Sequence, residues 1–62
     1  MKAVIRKYNG DDAYSWAVFR KEDLPKGHRG PVFYGESRRP PIVSGLSRSE
    51  ANYHKKVVEK MG

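Results

Sequence analysis

Residues 2–21, KAVIRKYNGDDAYSWAVFRK, decide the fold, because they read as a β-hairpin with two unlike faces. Asn9-Gly10 lies between two alternating runs, and both residues accept the positive φ that a type I′ turn requires. Asp11 and Asp12 extend the turn, so the loop is expected to hold two or four residues. Either even length places Met1, Ala3 and Ile5 on one face with Tyr14, Trp16 and Val18. Lys2, Val4, Arg6 and Tyr8 then share the other face with Ser15, Ala17, Phe19 and Lys21. An odd loop with a bulge would instead set Val4, Arg6 and Tyr8 beside Tyr14, Trp16 and Val18. The Asn-Gly pair favours the even loop.

Outward from the hairpin, Lys21 to Pro31 is dense in chain breakers and reads as a connection. Val32-Phe33-Tyr34 is the expected third strand, closed by Gly35. Pro40 and Pro41 donate no backbone hydrogen bond and make 37–41 irregular. Ile42-Val43 is a short extended segment with a strand edge as its alternative reading, and Ser44-Gly45 is expected to turn the chain. Ser47-Arg48-Ser49-Glu50 has capping-box spacing, in which hydroxyl and carboxylate each satisfy the other residue's amide. Leu46 and Ala51 stand at the positions of a hydrophobic staple. Helical spacing then gathers Ala51, Tyr53, His54, Val57, Val58 and Met61 on one broad face, with Gly62 closing the helix. The expected fold class is α+β: one small domain over 1–62, an antiparallel three-stranded sheet in β-β-β-α order. Its one C-terminal helix packs across the Trp16 face.

Size and composition bound the function. The chain has 62 residues, 37% of them hydrophobic, close to the lower limit for a self-sufficient core. It has no cysteine, which removes disulfides and thiolate metal sites. No apolar signal core is visible, and no run approaches the roughly 20 apolar residues of a membrane span. A cytoplasmic protein with no membrane partner is expected. Thirteen Lys and Arg against seven Asp and Glu give a net charge of +6, which attracts polyanions.

Catalysis finds little support. His54 belongs to the helix's inner face, and His28 lies in a glycine-rich loop beside Arg29. Asp11-Asp12 is ordinary turn chemistry, Glu50 and Ser47 are caps, and no spacing gathers metal ligands. Neither an enzyme nor a cofactor is expected. Gly27-His28-Arg29-Gly30 lacks the strand-loop-helix setting of a phosphate-binding loop. Arg38-Arg39-Pro40-Pro41 lacks the proline spacing of a proline-rich ligand. The helix's outer cations, Arg48, Lys55, Lys56 and Lys60, suit a solvated face.

The combination of cations with aromatics carries more. Lys and Arg replace phosphate counterions, and aromatic rings engage bases. Lys2, Arg6, Tyr8, Phe19 and Lys21 share the sheet face that the helix leaves uncovered, and Arg29, Arg38 and Arg39 flank it in loops. These eight are the candidate nucleic-acid-binding residues, with DNA or RNA as partner. Three fates stand open for that face: a polyanion, a partner chain, or the Pro40-Pro41 segment folded over it. In the second, Val4, Phe19 and Phe33 would form a contact for another protein or a second copy, or an open sheet edge would accept a strand. In element order alone the chain resembles small DNA-binding domains at the N-termini of some phage and transposon integrases, whose sheet enters a groove with the helix behind it. No residue motif accompanies the likeness, so it transfers no site residue.

Overall fold

The hairpin forms with the expected faces. In the computed structural model, which describes residues 2–61, β1 (Ala3–Lys7) and β2 (Trp16–Arg20) run antiparallel. Met1 and Gly62, expected on the core face and at the helix end, lie outside the described residues. Val4 faces Phe19, Ile5 faces Val18 and Lys7 faces Trp16. The pairing continues to Tyr8, whose N–H donates to the Ser15 carbonyl at 2.7 Å, so the loop holds six residues, 9–14. It is even, as expected, but longer. Asn9 alone of the Asn-Gly pair adopts positive φ, at 55°, and the type I′ turn does not form. Asp12 organises the loop instead. Its Oδ1 accepts the Tyr14 N–H at 3.0 Å and the Ser15 hydroxyl at 2.7 Å. The hydrogen bond from Ser15, then that from Tyr14, holds its carboxyl below the ordinary range. A Cβ at Gly10 would lie 2.7 Å from Ser15 Oγ, so glycine serves close approach here.

The third strand is β3 (Val43–Leu46), and Val32–Tyr34 is not a strand. β3 pairs antiparallel with β2, Val43 opposite Val18 and Leu46 opposite Trp16, with a register shift between. Gly45, at φ 70°, lies in that irregular stretch and lets the strand carry one extra residue. The expected Ser44-Gly45 turn is therefore a bulge within a strand. Val32 reaches the sheet alone, through one parallel bridge to Tyr8. Its N–H donates to the Lys7 carbonyl at 2.8 Å, and its carbonyl accepts from Asn9 N–H at 2.9 Å. Beyond it, Phe33 to Glu36 closes as a turn, with Glu36 N–H donating to the Phe33 carbonyl at 2.9 Å. The result is an α+β fold with one three-stranded antiparallel sheet, ordered β1-β2-β3, and a C-terminal helix.

The helix, α1 (Arg48–Met61), begins at the expected capping box. Ser47 N–H donates to Glu50 Oε1 at 3.0 Å, and Glu50 N–H donates to Ser47 Oγ at 3.3 Å. The Ser47 N–H first, and then the Ser47 hydroxyl, hold the Glu50 carboxyl below its ordinary range. Ala51 packs with Ala3 and Val18, surrounded by Ile5, Trp16, Leu46 and Val58. The helix thus covers the Trp16 face, as expected. Its inner face is narrower than expected, since Tyr53 and Met61 are 65% and 82% exposed.

The opposite sheet face is covered as well. Phe19, Ala17 and Val32 are fully buried together, with Val4, Tyr8 and Leu24 packed around them. Of the three fates, the chain itself supplies the cover, and the residues that do so are Leu24 and Val32. A buried carboxylate ties this cover down. Asp23, 2% exposed, accepts Arg39 Nε at 2.9 Å and Arg20 Nη1 at 3.3 Å. Its carbonyl accepts Arg38 N–H at 2.8 Å.

Two substitutions test these assignments. Phe19→Ser removes a buried ring whose truncation costs about 3–5 kcal/mol. That rivals the roughly 3–9 kcal/mol total stability of so short a chain. Loss of the folded circular-dichroism signal at 25 °C is expected; a folded, equally stable variant would show that the face is open. Ser47→Ala removes half the capping box and should cost about 1 kcal/mol, lowering Tm by roughly 4–8 °C.

Candidate nucleic-acid interface

The eight candidate residues do not form one surface. Phe19 is corrected to a core residue, because its ring is fully buried against Val32 and Leu24. The same packing removes it from the alternative protein-contact surface, where Phe33 alone stays exposed, at 56%. Tyr8 is half-buried, edge-on to Phe19 with ring centroids 5.5 Å apart. Arg39 is tied into the fold, although its side chain stays 53% exposed. Its Nη2 lies 2.9 Å from Asp23 and 3.1 Å from Glu22. The hydrogen bond to Asp23 is the main reason its pKa is raised.

The others gather in smaller groups, and Arg6 and Lys21 share a recess of about 170 Å³ with Val4 and Leu24. Lys2 and Lys21 are exposed at one end of the hairpin, where Lys21 N–H donates to the Lys2 carbonyl at 3.1 Å. Arg38 and Arg39 are exposed beside Tyr8 and Tyr34, around a recess of about 190 Å³ that brings three candidates together. Arg6 and Arg29 do come together, and they meet residues that the sequence reading had placed elsewhere.

That meeting place is a cleft of about 400 Å³ on the outer edge of β1, lined by Ile5, Arg6, Lys7, Trp16, Arg29 and Arg48. Each side chain has a local reason to be there. Lys7 and Trp16 are cross-strand neighbours in the hairpin register. Leu46 pairs with Trp16, and the capping box starts the helix just after it, which brings Arg48 to the ring. Arg48 Cζ lies 5.5 Å and Lys7 Nζ 5.6 Å from the indole centroid. Arg29 arrives from the loop that covers the Phe19 face. The cleft thus receives one cation from each layer flanking the sheet, and two from the edge between them.

The strand edge itself favours an anion. The ladder parity, seen where Tyr8 N–H bonds Ser15, turns the peptide groups of Ala3, Ile5 and Lys7 outward. The Ile5 carbonyl already accepts Arg6 Nη1 at 2.8 Å, and the Lys7 carbonyl accepts Val32 N–H. Outward acceptors beside the cleft are therefore occupied by the protein's own donors. Arg6 Nε is buried without a hydrogen-bond partner among the described residues.

Charge is distributed to the same effect. Of the seven acidic side chains, six are engaged by turns, caps or ion pairs away from the cleft. Asp12, Glu36 and Glu50 accept backbone amides at turns and the helix start. Glu22 and Asp23 hold Arg39, and Glu59 meets Lys55 and the Ala3 N–H. Asp11 alone reaches the cleft's cations, at 3.3 Å from Lys7 Nζ, but its side chain is 96% exposed and such pairs are weak. Among the described residues, no acidic side chain lines the cleft, and Arg29 and Arg48 make no salt bridge.

Sequence reasoning missed Lys7, Trp16 and Arg48 as site residues because it gave the whole Trp16 face to the helix. The Lys7–Trp16 pairing follows from the six-residue loop, longer than the two or four residues expected. Among the described residues, no group of three or more His, Cys, Asp or Glu could hold a metal, and no helix is long and apolar enough to cross a membrane. Comparison with family models, curated proteins and solved structures gives no match.

The division of labour between arginines is testable by thermal unfolding. Arg39→Ala leaves a buried carboxylate with one partner fewer and should lower Tm clearly. Arg29→Ala should stay within about 0.5 kcal/mol of the parent, as surface substitutions do. Equal Tm values for the two variants would contradict the assignment of Arg39 to the clamp.

Proposed function

We propose that this chain is a non-enzymatic nucleic-acid-binding domain that uses the β1-edge cleft rather than a sheet face. The observation that carries the reading is the cleft's lining: four cations gathered around a half-buried indole, with no acid among them. Cations convert phosphate counterion release into affinity, and an aromatic ring offers a surface to a base. The net charge of +6 supplies attraction at longer range. The chemistry needs nothing beyond association, and the helix start offers no second anion site because the Glu50 carboxylate already occupies it.

The salt dependence of binding to mixed-sequence DNA and RNA tests this. Full engagement of the four cleft cations gives a log–log slope of about −2.8 on single strands or −3.6 on duplex. On single strands that is roughly a 50-fold loss of affinity between about 50 and 200 mM salt. Arg29→Ala combined with Arg48→Ala should flatten the slope by about 1.4 to 1.8. Lys56→Ala combined with Lys60→Ala, on the helix's outer side, should change it much less. No binding to either nucleic acid at low salt would overturn the reading.

A further inference from the structure

Resting on that nucleic-acid reading, we infer that the cleft takes a single-stranded nucleic acid and lays one base against Trp16. Three observations converge on this form of the ligand.

The first is the shape of the site. Reading a duplex groove requires a protruding helix or two-stranded ribbon that enters it. Here the cations and the indole line a recess of about 400 Å³, and β1, the strand beside it, is flanked by a loop on one side and a helix on the other. A recess accepts what can be inserted into it. Bases within a duplex have both faces covered by their neighbours and would have to be extruded first. An unpaired base has a face to offer.

The second is the setting of the indole. Trp16 is half-buried, and Lys7 and Arg48 sit over its ring, 5.6 and 5.5 Å from the centroid, as cation–π partners. A base that takes the ring face displaces these two flexible side chains onto its own phosphates. The stack and the ion pairs are made by one nucleotide unit.

The third is the spread of the remaining charge. Arg29 and Arg48 belong to elements on opposite sides of the sheet, with Arg6 on the edge between them. Cations on both flanks of the cleft and on the edge between them suit the phosphates on either side of a seated base, as a strand presents them.

The test uses the unaltered protein and the fluorescence of its one tryptophan. The probes are DNA and RNA strands of about 12 nucleotides, matched strands with abasic units, the corresponding duplexes, and mononucleotides. Intact single strands should quench Trp16 emission and bind about tenfold more tightly than abasic strands of the same charge. They should also bind more tightly than the duplexes at equal phosphate concentration, and far more tightly than mononucleotides. Equal affinity for intact and abasic strands, or tightest binding to duplex, would overturn the single-strand inference and leave the nucleic-acid reading standing. Mononucleotides binding as tightly as strands would overturn the strand form. No binding by any probe would overturn both.

Discussion

The structure depends on how Phe19 is covered. A short chain with one helix has a sheet with two apolar faces, and the helix can close only one. Val32 and Leu24 close the other, and Phe19 is left with no exposed surface. Full burial of such a ring contributes about 1.5–3 kcal/mol, a large share of what so small a fold can assemble. The covering segment has little regular structure of its own. It is held by the Val32 bridge to the edge of β1 at one point and by the buried Asp23 carboxylate at another. A buried carboxylate is costly unless paired, which commits Arg20 and Arg39 to the fold.

That commitment shapes the surface. Acidic side chains cap the helix, close the turns and clamp the cover, so the protein uses its few carboxylates internally. Cations outnumber them and are left facing water. Both sheet faces are covered, and the cleft of about 400 Å³ lies at the strand edge instead. There Val32 bridges Tyr8, while the cleft lies alongside Ile5 to Lys7. Exposed strand edges invite pairing with other chains, and natural proteins blunt them with charge and side-chain contacts. Arg6 on the Ile5 carbonyl and Glu59 on the Ala3 amide act in this way. The cationic cleft and the protection of the edge are one arrangement.

Much of the fold was legible. The parity of the hairpin loop, the capping box and the helix on the Trp16 face all follow from local chemistry, and all are present. The third strand was not legible, because the residues with higher strand propensity lost to those with the better position. Val32-Phe33-Tyr34 is hemmed by Gly30 and Gly35 at positive φ, and only Val32 reaches the sheet. Val43 to Leu46 contains a glycine and a serine, yet it lies beside the helix start and pairs with β2 through the Gly45 bulge. Tertiary placement overrode propensity. The candidate site was half legible for the same reason. Arg6 and Arg29 were named, but Trp16 joins them through the longer hairpin loop and Arg48 through the register of β3, which no local pattern reveals. Phe19 was misread, and the Asp23 clamp on Arg39 went unseen, because both depend on contacts distant in sequence.

The central claim is that both sheet faces are closed and that the β1 edge is the binding surface. Amide chemical-shift mapping during titration with a single-stranded oligonucleotide tests it most directly. The account predicts that the largest shifts cluster at Ile5 to Lys7, the Trp16 indole N–H, Arg29, Gly30 and Arg48, with Ala17 and Phe19 little changed. Shifts centred instead on Val4, Ala17 and Phe19, or on the outer side of the helix around Lys56 and Lys60, would contradict it.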